Sequence, residues 1–133
     1  PELEVFEVGM IPSAKKLIND GVLKPPYYFN FCLGVHWALP ADPASLFFLK
    51  TMLNENLPWS LVHDGMTDLS LLATAIGMGA TVVRVGFEDS VYFAPGKAAK
   101  HNSELVENAV ALIHQIGYEV ASCEEARKML GVA

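Results

Sequence analysis

Along this chain, stretches whose hydrophobic residues have the spacing of a strand alternate with stretches whose hydrophobic residues have the spacing of a helix. Short stretches that are continuously apolar, or apolar at every second residue, predict strands, and stretches with apolar residues three or four positions apart predict helices. Strands are predicted at 3–8, 27–35, 59–62 and 81–90. Each is followed by a helical pattern, and a short helix ends the chain. Four consecutive strand–helix units predict a parallel sheet with right-handed crossovers.

Helix termini have local signals in two places. Asp42-Pro43 predicts a helix start, because Asp accepts from the first free amides and Pro suits the first helical position. Ser122 and Glu125 have the spacing of a capping box, and Gly131 predicts the end of the helix that they start.

Four further predictions concern side-chain environment and local structure. Phe47 and Phe48 are expected to widen the buried stripe of the helix that begins at Pro43. Glu4, near the start of the first strand, is expected to be solvated. Residues 92–96 are expected to form a loop, and Asn102 or Ser103 to cap the long helix that follows.

Residues 81–90 contain the main candidate for chemistry. An apolar, β-branched run with Arg84 inside it ends in two adjacent carboxylates, Glu88 and Asp89. Such a run is typical of a strand buried on both faces, and ligands bind at the carboxyl ends of parallel strands. A buried ionised group has to be paired, hydrogen-bonded or bound to a metal. From the pattern alone a simple turn is the favoured interpretation, since Asp is a turn residue, and a site is the alternative.

Two histidines also lie at or just beyond the ends of predicted strands. His36 is either a ligand or substrate contact, or a half-buried structural residue; the second is favoured, because no partner at metal-ligand spacing is visible. His63 precedes Asp64-Gly65, a strong turn signal, and is either a substrate contact or a solvent-facing turn residue.

Composition narrows the functional class. The 133 residues are 52% hydrophobic and 18% charged, which is typical of a single globular unit over 1–133. A net charge of −6 without a basic cluster predicts no nucleic-acid surface. Two distant cysteines predict neither a disulfide scaffold nor a cysteine-rich zinc site, and favour a cytoplasmic protein. No apolar run is long enough to predict a membrane span.

Two α/β architectures fit this pattern. One is a small open sheet of four strands. The other is half of an eight-stranded (β/α) barrel, which typically needs ~250 residues. The length of the chain and its abrupt start, with strand residues directly after Pro1, favour the half-barrel.

Specific residues resemble the β-keto acid cleavage enzyme family, to which 3-keto-5-aminohexanoate cleavage enzyme belongs. Arg84-Val85-Gly86-Phe87-Glu88-Asp89 and Asn102-Ser103-Glu104-Leu105-Val106-Glu107 carry the resemblance most specifically. The opening 1–6 and the tail 117–131 fit the same family. The resemblance covers essentially the whole chain but only the C-terminal half of a family member.

The resemblance implies a fold and a reaction. The fold is the C-terminal half of a (β/α)8 TIM barrel, with four βα units and a terminal helix. The reaction transfers the acyl part of a β-keto acid to the CoA of acetyl-CoA, releasing acetoacetate and a new acyl-CoA. By position, Glu88 matches a ligand of zinc or another divalent metal, Asp89 the general base, and Arg84 the cationic partner of the catalytic carboxylate.

The resemblance also implies partners and a missing part. The partners are a small-molecule β-keto acid and a CoA thioester, and the protein is expected to be a homo-oligomer. The two other metal ligands of the family belong to a His-x-His motif, which this sequence does not contain. Either the N-terminal half is missing from this chain, or the protein is incomplete as an enzyme. Two alternatives stay open: a non-catalytic half-barrel that serves as an assembly or binding module, and another metal-dependent barrel aldolase or lyase.

Overall fold

The computed structural model describes residues 1–53 and 57–132, which form a mixed α/β fold. Four strands make one sheet: β1 Glu2–Val5, β2 Tyr28–Leu33, β3 Trp59–His63 and β4 Val82–Val83. Two short strands make a hairpin: β5 Tyr92–Ala94 and β6 Lys97–Ala98. The helices are α1 Met10–Asn19, α2 Pro43–Met52, α3 Ser70–Gly77, α4 Asn102–Gln115 and α5 Cys123–Leu130.

The main sheet is parallel, and its strands lie side by side in the order β1-β2-β3-β4. This confirms the predicted alternation of strands and helices around a parallel sheet. The register places Asn30 of β2 beside Glu4 of β1 and Ser60 of β3. Because the strands are parallel, their carboxyl ends lie together at one end of the sheet, which is where a site is expected.

The hydrophobic core lies between one face of the sheet and the helices. Alternate residues of β2, Phe29, Phe31 and Leu33, are fully buried and belong to one cluster with Leu46 and Leu49 of α2. Because side chains alternate along a strand, Asn30 and Cys32 point to the other face. The sheet thus has one apolar face and one face with polar groups.

The predicted strand 81–90 is much shorter in the structure. Only Val82–Val83 pairs with β3, and the amides of Asp89 and Ser90 both donate to the carbonyl of Gly86 at 3.0 Å. This turn bends the chain out of the sheet, so the acids lie beyond the strand and not within it. The valines are half-buried, because β4 is an edge strand and is not covered on both faces.

The environment of several other residues also differs from the prediction. The first strand was predicted over 3–8 but ends at Val5, because a turn follows in which the amide of Gly9 donates to the Glu7 carboxylate at 2.9 Å. Phe47 and Phe48 are 62% and 50% exposed, because α2 packs on β2 through Leu46 and Leu49 and the two phenylalanines lie outside that stripe. The expected loop at 92–96 is the β5–β6 hairpin.

The cap predictions at Asp42 and at Ser122 are confirmed. The Asp42 carboxylate accepts from the amide of Ser45 at 2.8 Å at the start of α2. Ser122 and Glu125 form both bonds of a capping box at the start of α5, and Gly131 ends that helix with φ +67°. In the part of the chain that the structure describes, no helix has the length and apolarity needed to cross a bilayer.

Gly34, the residue directly after β2, cannot accept a side chain. Its φ is +82°, and a Cβ there would lie 2.6 Å from the carbonyl oxygen of Asp64. Gly34→Ala is expected to lower the free energy of unfolding by about 2 kcal/mol or more, since the left-handed conformation and the steric clash add. Chemical denaturation measures this loss.

Gly117→Ala is the matched control for Gly34→Ala. Its φ is +87°, and within the described residues a Cβ there would have no contact under 4 Å. This variant should therefore show only the smaller conformational cost. Equal losses at Gly34 and Gly117 would contradict the role of the Asp64 contact.

Candidate active site

Arg84, just after β4, is the centre of a cluster of charged side chains. Its Nη1 donates to Glu4 Oε1 at 2.9 Å, and its Nη2 donates to Glu88 Oε2 at 2.6 Å and to Asp89 Oδ1 at 3.3 Å. Three carboxylates therefore share one guanidinium. The structure brings together the three residues that the sequence singled out and adds Glu4.

Glu4 is exposed, as predicted, with its side chain 43% accessible, and it also pairs with Arg84. It lies on β1, at the opposite edge of the sheet from β4. Strands about 4.8 Å apart would place β1 and β4 about 14 Å apart in a flat sheet. Two long side chains that lean towards each other over the polar face cover this distance. Arg84 thus connects the first and last strands of the sheet.

The polar face below this cluster is held by a chain of hydrogen bonds. Asn30 Nδ2 donates to Glu2 Oε1 at 2.8 Å, and Ser60 Oγ donates to Asn30 Oδ1 at 2.8 Å. Asn30 and Ser60 are buried, and satisfied buried polar groups make a surface rigid. This face therefore gives the charged cluster a fixed base.

A cavity of about 260 Å³ opens at the carboxyl ends of the strands. The charged cluster forms much of its wall. Its lining residues are Glu4, Phe6, Cys32, Val35, Val62, Asp64, Arg84, Glu88 and Asp89. The position agrees with the expected location of a site in a parallel α/β sheet.

The two acids lie in different environments. The Asp89 side chain is 15% exposed, whereas the Glu88 side chain is 81% exposed. Burial raises the pKa of Asp89; the Arg84 guanidinium partly offsets this, and the carboxylates of Glu88 and Asp64 raise it further. A carboxylate with a raised pKa is a stronger base. Asp89 is thus suited to accept a proton, and Glu88 to contact a group that enters from the mouth.

Arg84 stays protonated in this cluster. Burial acts to lower its pKa, but the carboxylates of Asp89, Glu4 and Glu88 outweigh burial, and the pKa is raised. A guanidinium is in any case protonated throughout the working range. The positive charge is therefore constant, while the number of negative charges around it can change.

The turn that carries the acids is fixed from both sides. On one side the amide of Gly65 donates to the carbonyl of Asp89 at 2.9 Å, and Ser90 Oγ donates to the carbonyl of Met66. On the other side the amide of Phe87 donates to Asn102 Oδ1 at 3.0 Å. Asn102 is the first residue of α4 and not its cap, which corrects the prediction; the capping position is His101.

The remaining candidate groups have other surroundings. Burial raises the pKa of Cys32 to about 12, so its thiol is protonated and is not a nucleophile. His63 is the last residue of β3, and burial lowers its pKa. Within the described residues its Nδ1 is buried without a hydrogen-bond partner. His36 packs edge-on against Trp37 at 4.2 Å, and neither His36 nor His63 lines the cavity.

Few donor groups for a metal ion lie together in the described residues. Residues 1–53 and 57–132 contain no cluster of three His, Cys, Asp or Glu side chains that could hold a metal ion. Glu88 lies at the cavity mouth and fits a single carboxylate ligand, but a catalytic zinc site usually has three protein ligands. The described residues alone do not complete such a site.

Comparison with known proteins identifies the family. The profile of the beta-keto acid cleavage enzyme family matches residues 1–132. The chain belongs to the β-keto acid cleavage enzyme family. Two 3-keto-5-aminohexanoate cleavage enzymes are each 40% identical, over 132 residues in Fusobacterium nucleatum and over 133 residues in Acetoanaerobium sticklandii.

These family members are about twice as long as this chain. The alignments cover 99% and 100% of the chain but only 47% and 48% of the two enzymes. A third relative, the 3-dehydrocarnitine:acetyl-CoA trimethylamine transferase of Rhizobium meliloti, is 32% identical over 130 residues, or 98% of the chain and 43% of that protein. The chain therefore spans about half the length of the curated relatives it matches.

Proposed function

We propose that this chain is the part of a metal-dependent β-keto acid cleavage enzyme that supplies Arg84, Glu88 and Asp89. The proposed reaction transfers the acyl part of a β-keto acid to the CoA of acetyl-CoA and gives acetoacetate and a new acyl-CoA. The observation that carries the proposal is the contact of one guanidinium with these two acids at the carboxyl ends of the strands. Membership of the family supports the class of reaction.

Asp89 is proposed as the general base. Condensation next to a carbonyl requires a proton to leave carbon before the new carbon–carbon bond forms, and a carboxylate that is largely removed from water is a stronger base for this step. Arg84 Nη2 contacts Asp89 Oδ1 at 3.3 Å and fixes the direction of the carboxylate. Because the guanidinium keeps its charge, it can also hold the carboxylate or the developing oxyanion of a substrate.

Glu88 is proposed as one ligand of zinc or another divalent metal. Its side chain is 81% exposed at the cavity mouth, where residues from outside this chain can complete the ligand set. The proposed additional ligands are the two histidines of a His-x-His motif in the N-terminal half of the natural protein. When bound, the metal would act as a Lewis acid on the keto oxygen.

We also propose that the sheet is half of an eight-stranded barrel. β1 and β4 are the edges of the sheet, and unpaired edges are normally covered. An apolar groove of about 570 Å³ lies beside β4. Its apolar lining includes Val82, Val85, Val106, Val110, Ile113 and Val120. The N-terminal half of the barrel would pair with these edges and fill the groove.

The resemblance predicts the oligomeric state, and the two distant cysteines predict the location. A homo-oligomer in the cytoplasm stays a prediction, as does the identity of the metal. The keto acid is also open, because the relatives are named for different substrates, among them 3-dehydrocarnitine, 3,5-dioxohexanoate and 3-oxoadipate.

An assay of the longest natural form of the protein tests the proposal. Acetyl-CoA is supplied with each of four acids: 3-keto-5-aminohexanoate, 3-dehydrocarnitine, 3,5-dioxohexanoate and 3-oxoadipate. We expect acetoacetate and a new acyl-CoA in equal amounts with at least one acid, measured by mass spectrometry. Omitting acetyl-CoA is the control and should abolish both products, because the CoA group is transferred and not released.

Two other results would favour the alternatives. Consumption of a keto acid without acetyl-CoA would indicate another barrel aldolase or lyase that shares Glu88 but differs in its acyl acceptor. A folded, metal-loaded protein that converts none of the four acids would contradict the cleavage reaction for these substrates. It would favour an assembly or binding module.

A further inference from the structure

The turn formed by residues 86–90 carries both acids but is not part of the sheet. β4 ends at Val83, and the ladder to β3 continues only through the Arg84 amide, which donates to the carbonyl of Leu61 at 3.2 Å. The strand pairing therefore does not fix Glu88 and Asp89. Their positions depend on contacts that the turn makes with other elements.

One anchor comes from the loop after β3. The buried Ser90 hydroxyl donates to the carbonyl of Met66 and accepts from the amide of Tyr92 at 3.1 Å. The Gly65 amide donates to the carbonyl of Asp89 at 2.9 Å. These contacts hold the end of the turn next to Asp89.

The other anchor comes from α4. Leu105 and Ala109 of this helix are buried and Leu112 packs against the core, so its first residue, Asn102, has a defined position relative to the sheet. Asn102 Oδ1 accepts from the Phe87 amide at 3.0 Å, one residue before Glu88. The side chain is thus an acceptor for a turn amide, although the Asn-x-Glu-Leu-Val pattern resembles an ordinary helix start.

We propose that Asn102 is a positioning residue for the two acids and acts through the Phe87 amide. It contacts neither carboxylate, and it fixes the backbone from which both side chains extend. The catalytic consequence depends on the proposed function, whereas the hydrogen bond and its effect on the turn do not.

Three variants in the longest natural form of the protein test the proposal. Asn102→Ala removes the acceptor, and Asn102→Asp keeps an oxygen in the same place. Asn108→Ala is the matched control: it removes the same side chain from the same helix, where Asn108 Nδ2 donates to the carbonyl of Glu104 at 2.7 Å. Asn102 is exposed, so Asn102→Ala should fold, with a Tm change of no more than about 4 °C.

The first measurement is hydrogen exchange of the Phe87 amide by NMR. Asn102→Ala should speed this exchange by about tenfold, because it removes one hydrogen bond from the Phe87 amide. Asn102→Asp and Asn108→Ala should keep the wild-type rate. The second measurement is steady-state kinetics. In Asn102→Ala we expect kcat to fall by about 10- to 100-fold with KM nearly unchanged, since small displacements of reacting groups are costly. Asn102→Asp should restore most of kcat.

The outcomes separate this proposal from the proposed function. Wild-type exchange at Phe87 and wild-type kcat in Asn102→Ala would overturn the positioning role while the enzyme remains active. Equal losses in Asn102→Ala and Asn108→Ala would also overturn it, because they would indicate a general effect on α4. A wild-type protein without cleavage activity would instead count against the proposed function, and the exchange measurement would still test the anchor.

Discussion

Asp89→Asn should leave the protein folded and metal-loaded but lower kcat by about 10²- to 10⁴-fold, the usual contribution of a general base. The amide keeps an oxygen that can accept from Arg84 Nη2, which now contacts Asp89 Oδ1 at 3.3 Å. It cannot accept a proton from carbon. The measurements are turnover with the keto acid that the assay identifies, metal content, and the free energy of unfolding.

Asp20→Asn is the control for this substitution. Asp20 pairs with Lys16 on α1 at 2.7 Å and is exposed, so its loss should change turnover little. Wild-type turnover in Asp89→Asn would remove Asp89 from the mechanism. Loss of metal along with turnover would show that the residue supports the metal site and is not only a base.

Glu88→Gln should lower the zinc content of the full-length protein at least several-fold. A neutral amide is a poor ligand for a divalent metal compared with a carboxylate, and a three-ligand site weakens when one ligand is lost. Elemental analysis after dialysis against a metal-free buffer measures the loss. Turnover should fall with the metal content and recover in part when excess zinc is added.

Glu4→Gln is the matched control for metal content. Glu4 and Glu88 both contact the Arg84 guanidinium, at 2.9 and 2.6 Å, so both substitutions remove one charge from it. Only Glu88 is proposed as a ligand. Unchanged zinc stoichiometry in Glu88→Gln, or an equal loss in Glu4→Gln, would count against the assignment of Glu88.

The sequence predicts those parts of the fold that depend on neighbouring residues. The caps at Asp42 and Ser122 require partners only three residues away, and both form as expected. The bounds of β4 were predicted wrongly, since the valines favour a strand but the turn at Gly86 ends it. Phe47 was predicted to be buried but is exposed, because apolar spacing does not show which side of a helix faces the sheet.

The site could be predicted only in part, because the sequence indicates contacts between neighbouring residues but not between distant ones. Arg84 and Glu88 are four residues apart, and their contact follows from local geometry. Glu4 lies 80 residues from Arg84, and Asn102 lies 15 residues from Phe87 across a hairpin. Only the folded sheet and the packing of α4 bring these pairs together. Alternation along β1, which puts Glu2 and Glu4 on one face, was the available signal for Glu4.

Elemental analysis of the longest natural form of the protein is the most direct test of the account. We expect about one zinc or other divalent metal ion per chain, as in a mononuclear catalytic site, with acetoacetate formation that stops when a chelator removes the ion. A protein that forms acetoacetate at full rate with no bound metal would contradict a metal-dependent reaction and the proposed role of Glu88 as a metal ligand.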